Sequence, residues 1–231
     1  MQSPNHGLRR GVSAPDIVVL HYTGMASCQA AAERLCDPVA EVSAHYLVDV
    51  DGTVLSLVPE ERRAWHAGQG AWGAVTDVNS HSVGIEIANP GHHDGYPPFP
   101  EAQMTAVQHL LSDALSRWAI PPERVIGHAC MAPGRKIDPG EKFDWRRLAL
   151  SGHAVWLDYE GGSSAEADAT VFQEAARRFG YPVPATGEWC AESLAVWRAF
   201  AMRFLPWWAD QAPDAAAVRH LQRLAEQWPV G

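Results

Sequence analysis

The sequence predicts an α/β domain followed by a small all-α domain, and three observations carry that prediction. Short apolar, β-branched runs at Ile17 to Leu20, Ser82 to Ala88 and Val125 to Gly127 are separated by stretches with helical spacing. Asp51-Gly52 lies between two strand-like segments and signals an antiparallel hairpin. Beyond Gly161-Gly162-Ser163-Ser164 only helical patterns remain.

Taken in order, residues 1–15 read as a flexible lead, polar and without periodicity. Ile17 to Leu20 is continuous in apolar residues, as in a strand buried on both faces, and it delivers His21 where the strand meets a loop. Ser27 is placed to cap a helix running to about Leu35, which Cys36-Asp37-Pro38 then stops. Ala44 to Val50 and Thr53 to Val58 form the hairpin. Arg63 to Gly73, with two tryptophans, His66 and three glycines, reads as an irregular loop over an exposed site. Ser82 to Ala88 is a further strand that carries Glu86 in its interior, where a carboxylate needs a partner or a purpose. From Glu101 the apolar residues Met104, Val107, Leu110, Leu111, Ala114, Leu115 and Trp118 repeat at helical spacing up to Pro121-Pro122. Val125 to Gly127 returns to the sheet and leads into His128, and a short helix is expected over Asp144 to Leu150. Three helices, about Ala167 to Phe179, Glu188 to Phe204 and Asp214 to Trp228, complete the chain. The expected organisation is therefore a lead (1–15), a catalytic domain (16–152), a linker (153–165) and a three-helix domain (166–231).

Composition narrows the class. With 47% hydrophobic and 19% charged residues, the 231-residue chain is globular, and no window approaches the roughly 18 uninterrupted apolar residues of a membrane helix. A formal charge of −9 argues against nucleic acid as a main partner, because phosphate neutralisation needs a basic face. Cys28, Cys36, Cys130 and Cys190 show no CxxC pair, which suits reduced thiols. The start, MQSPNHGLRRGVSAPD, has no apolar core after its arginines. The expected location is the cytoplasm, or the periplasm if an export signal is missing.

The chemistry gathers in VIGHACMAPGRKIDPG. A loop broken by Pro133 and Gly134 separates His128 from Asp138, and such a loop can bend back so that both bind one ion, with Lys136 reaching in between. A hydrolytic zinc takes three protein ligands from His and carboxylates and leaves a fourth position open. His21, His128 and Asp138 meet those residue types, although each taken alone is more simply explained as an ordinary polar residue at a strand end.

Four ordered strings, IVVLHYT, SAHYLVDVDGTVLSLVPEERRAWHAG, NSHSVGIEIAN and VIGHACMAPGRKIDPG, resemble the type 2 N-acetylmuramoyl-L-alanine amidases over roughly Asp16 to Leu150. Within that family the chain is most similar to enzymes that accept 1,6-anhydro-muramoyl peptides and carry a helical C-terminal module. The resemblance implies a central mixed β-sheet flanked by helices, with one zinc ion held by His21, His128 and Asp138. Glu86 would hold or deprotonate the attacking water, and Lys136 would face the developing oxyanion. Arg135 is a more exposed alternative beside it. His66 matches a loop that lines the groove; Trp65 and Trp72 would stack on sugar faces or cover the core; Asn79 and Asn89 would hydrogen-bond the peptide stem. Cys130 departs from the family, which commonly has an acidic residue there. The implied reaction is hydrolysis of the amide joining (1,6-anhydro-)N-acetylmuramic acid to L-alanine in muropeptides, in peptidoglycan recycling. The alternatives are a recognition protein that binds muropeptide without cutting it and a zinc hydrolase of unrelated amides. The helical module resembles peptidoglycan-binding domains, but Trp197, Phe200 and Phe204 on one helical stripe are explained as core.

Overall fold

A computed structural model describes residues 1–161 and 165–230. The elements in chain order are β1 (His6–Leu8), β2 (Ile17–Tyr22), α1 (Cys28–Cys36), β3 (Tyr46–Val48), β4 (Val54–Ser56), β5 (Arg62–Ala64), α2 (Val78–His81), β6 (Ser82–Ile87), α3 (Glu101–Trp118), β7 (Val125–Gly127), α4 (His128–Met131), α5 (Trp145–Leu150), α6 (Ala169–Phe179), α7 (Ala191–Phe204) and α8 (Ala215–Gln227). A five-stranded sheet has the order β4-β3-β6-β2-β7. β3 and β4 are antiparallel and the other neighbours parallel, so the sheet is mixed, with helices on both sides. Among the described residues no helix is long and apolar enough to cross a membrane.

Strand alternation sorts the buried residues onto two faces. Val18 and Leu20 of β2, with Val83, Ile85 and Ile87 of β6, pack against Met104, Val107 and Leu111 of α3. Ile17, Val19 and Ile126 turn the other way and join one core with Phe172, Phe179, Phe200 and Phe204 from α6 and α7. The C-terminal helices therefore lie on the sheet and share its core. Their stripe of Trp197, Phe200 and Phe204 is buried, as the helical spacing predicts. Part of the expected linker, Ala154 and Val155, is buried too, whereas its residues 162–164 lie outside the described residues. Ser27 caps α1 by accepting from the Ala30 amide at 3.1 Å.

Two expectations change, and one open alternative is decided. The lead is not free: β1 pairs antiparallel with β5, and Ser3 and Asn5 are buried. Arg9 donates to the carbonyls of Glu60, Ser80 and Ser82, so short-range hydrogen bonds supply what apolar periodicity does not. The hairpin turn is longer than two residues, because register pairs Val48 with Val54. Asp51 accepts from the Thr53 amide at 2.8 Å and Gly52 adopts φ +88°, with no room for a Cβ beside the Ala102 carbonyl of α3. Trp72 is the open alternative. It is 0% exposed and packs edge-on against Phe179 and Tyr181, at 5.8 and 5.1 Å between ring centres, so it is core at the junction with the C-terminal helices and cannot reach a sugar. Trp72→Ala should destabilise the protein by about 3–5 kcal/mol in urea unfolding. An unchanged midpoint with a raised KM would restore the sugar-stacking role.

Candidate metal centre and cleft

β2 and β6 run parallel with His21 opposite Glu86, so both side chains project from the face that carries the C-terminal helices. His21 lies within β2 and not past its end. β7 stops at Gly127 and His128 opens α4. The chain after α4 folds back through Lys136 N–H to Ala132 O at 3.0 Å, and Ala129 N–H donates to Asp138 O at 2.9 Å. That closed loop sets Asp138 beside His128.

The two histidine Nδ1 atoms are 2.8 Å apart, and each is 3.1 Å from Asp138 Oδ2. All three residues are buried. A tetrahedral ion bound at about 2.0–2.1 Å holds its donors roughly 3.3 Å apart, so the triangle needs little adjustment to accept zinc. The donor set also fits: two imidazoles and one carboxylate match a hydrolytic site with a fourth position left for solvent.

Burial, followed by the neighbouring His128, lowers the His21 pKa to about 4, against the Asp138 carboxylate, which favours the protonated ring. Burial works to raise the Asp138 carboxyl, but the charge and hydrogen bond of His128, together with His21, outweigh it and hold the group below the usual carboxylate range. Glu86 behaves oppositely. Desolvation and then the negative charge of Asp138 raise its pKa well above the ordinary value, with Lys136 opposing. Its Oε2 is buried and has no hydrogen-bond partner among the described residues, which leaves it available to a bound molecule.

These groups open onto a cleft of about 480 Å³, a size suited to a small organic ligand. Trp65, His66, Lys136 and Arg135 line it with the three metal-site residues and Glu86. Arg135 also has a second task, donating to the carbonyls of Ala67 and Gln69 at 2.6 and 2.5 Å. Two expected stem-peptide contacts are turned inward. Asn79 accepts from the His66 and Ala67 amides at 3.0 and 2.9 Å, and Asn89 joins Pro97 O to the Gly91 amide at 2.9 Å each. A buried amide side chain that closes backbone groups is spent on the loop. Cys130 is buried and meets Tyr181 and Arg203, away from the metal triangle. Met25, just before α1, and Arg34, within it, also line the cleft, and nothing in their sequence context marks them.

A sequence profile described as N-acetylmuramoyl-L-alanine amidase matches residues 11–141. The chain is 34% identical to N-acetylmuramoyl-L-alanine amidase AmiD of Escherichia coli over 92% of its own length and 83% of that protein. The AmiD structure in complex with anhydro-N-acetylmuramic acid-L-Ala-D-γ-Glu-L-Lys superposes with a TM-score of 0.84 at 32% identity, covering 95% of this chain and 93% of that one. AmpDH3 of Pseudomonas aeruginosa in complex with anhydromuramic pentapeptide gives a TM-score of 0.81 at 31% identity, covering 100% and 96%. The 1,6-anhydro-N-acetylmuramyl-L-alanine amidase AmpD of Haemophilus influenzae is 36% identical over 48% of this chain and 58% of its own length.

Proposed function

Because the chain belongs to the N-acetylmuramoyl-L-alanine amidase family, we propose that it is a zinc-dependent amidase of 1,6-anhydro-muropeptides that serves peptidoglycan recycling. The observation that carries the reading is the buried His21, His128 and Asp138 triangle, opening on one cleft with Glu86 and Lys136. That relatives of similar fold are solved with anhydromuramic peptides bound supports the substrate class.

His21, His128 and Asp138 would hold the ion, which when bound supplies Lewis-acid activation of water and carbonyl. Glu86 orients the water and accepts its proton as the oxygen bonds to the lactyl carbonyl carbon. Lys136 lends a fixed positive charge to the oxygen that becomes anionic. As the C–N bond breaks, Glu86 returns the proton to the leaving nitrogen, so that the products are anhydro-N-acetylmuramic acid and a peptide with a free L-alanine amine. The partly closed cleft strengthens each of these electrostatic contacts by excluding solvent.

The direct test is incubation of the protein with 1,6-anhydro-MurNAc-tripeptide, with and without a chelator, followed by mass spectrometry. Release of sugar and peptide, abolished by chelator and restored by zinc, is the expected outcome. Tight binding of an intact substrate by zinc-loaded protein would instead make the chain a recognition protein.

A further inference from the structure

His66 lines the cleft and makes two side-chain contacts that together fix where protons sit. The Val78 carbonyl can only accept, so the Ser82 hydroxyl spends its hydrogen there, at 2.5 Å. The 3.1 Å contact between Ser82 Oγ and His66 Nε2 therefore needs the proton on His66 Nε2. A neutral imidazole has one such proton, which leaves His66 Nδ1 as an acceptor. Its partner at 3.0 Å is His21 Nε2, which must then be the donor. His21 Nδ1 is thereby left with a lone pair, facing His128 and Asp138.

The adjacent residue does the same for the other histidine. His128 Nε2 lies 2.8 Å from the Ala67 carbonyl, an obligatory acceptor, so its proton sits there and its Nδ1 is free. Arg135 Nη2 is 3.5 Å from that ring nitrogen but 2.6 Å from the carbonyl, so it donates to the carbonyl's second lone pair and does not compete.

We propose that the two-residue segment His66-Ala67 is a tautomer clamp, which holds both ligating histidines as Nε2–H tautomers with Nδ1 presented to the metal. Ser82 and Asn79 are its positioning residues. Asn79 Oδ1 fixes the segment by accepting from both of its backbone amides. Gly84 makes space for the ring, since a Cβ there would lie 2.4 Å from His66 Cγ. Ser82, Gly84 and Glu86 alternate along β6 and so share a face: one strand supplies the hydroxyl that orients His66, the gap that admits it and the carboxyl of the cleft. The inference rests on the assignment of His21 and His128 as ligands.

Two measurements on the full chain test it. In zinc-loaded protein near neutral pH, where the cation takes the place of a proton between the two Nδ1 atoms and Asp138, long-range proton–nitrogen NMR of the histidine side chains should show the Nε2–H tautomer at His21, His66 and His128. Ser82→Ala removes the acceptor that orders His66, and should produce mixed tautomers at His66 and weaken zinc binding by about 10–100-fold in chelator competition. Ser82→Thr, which keeps the hydroxyl, should restore the affinity. An Nδ1–H tautomer at His66 in the zinc-loaded parent overturns the clamp whatever the variants do. Zinc binding by Ser82→Ala as tight as that of the parent also overturns it, and leaves the amidase reading intact. Failure of the parent protein to bind zinc removes the ligand assignment and the clamp together.

Discussion

Replacing Glu86 by glutamine is expected to lower turnover of an anhydro-muropeptide by about 10²–10⁴-fold while the protein keeps its zinc. The substitution preserves volume in a strand whose neighbours Ile85 and Ile87 are fully buried, so the sheet has no reason to shift. What it removes is the capacity to take a proton. Glu86 is not among the three residues grouped to hold a metal, and its Oε2 has no hydrogen-bond partner among the described residues. Zinc content should therefore match the parent, and turnover within tenfold of the parent would remove Glu86 from the reaction. The pH profile carries a sign. Burial and Asp138 raise the carboxyl pKa, so the ionised base is lost as pH falls through that raised value. The acidic limb of kcat/KM should lie above the ordinary carboxyl range by as much as the bound cation leaves uncompensated, and Glu86→Gln should flatten it.

Asp138→Ala should abolish both metal retention and activity. Asp138 Oδ2 is the anionic corner of the His21, His128 and Asp138 triangle, and without it two imidazole Nδ1 atoms 2.8 Å apart would have to hold a cation alone. The loss should exceed the roughly 100-fold upper cost of removing an outer-shell partner. The loop itself should survive, because Ala129 N–H donates to the main-chain oxygen of Asp138, which alanine retains. Metal analysis after dialysis is the readout. A variant that keeps a full equivalent of zinc would show that another residue completes the site.

Much of the frame was legible before the fold was known. The apolar runs of β2, β6 and β7 and the spacing of α3 are signals of burial on both faces or on one stripe, and each element formed close to its expected bounds. The C-terminal helices followed the same logic. The pairing of β1 with β5 was not legible, since strands of three residues carry no usable period and gain their stability from partners far along the chain. Trp72 was ambiguous because a tryptophan beside glycines suits a binding loop as well as a core; the helices that cover it lie about a hundred residues on and decide between the two.

By itself the sequence determined which residues possess lone pairs, charges and transferable protons, and which strands bury them, because residue type and alternation are local properties. Only the tertiary structure decided which of them meet: His21 and Asp138 stand 117 positions apart in the chain and 3.1 Å apart in space. It also showed Asn79, an expected substrate contact, turned inward onto the His66 and Ala67 amides. The physical reason is that a hydrogen bond acts over about 3 Å, and direct partners at that range are set by how distant segments pack.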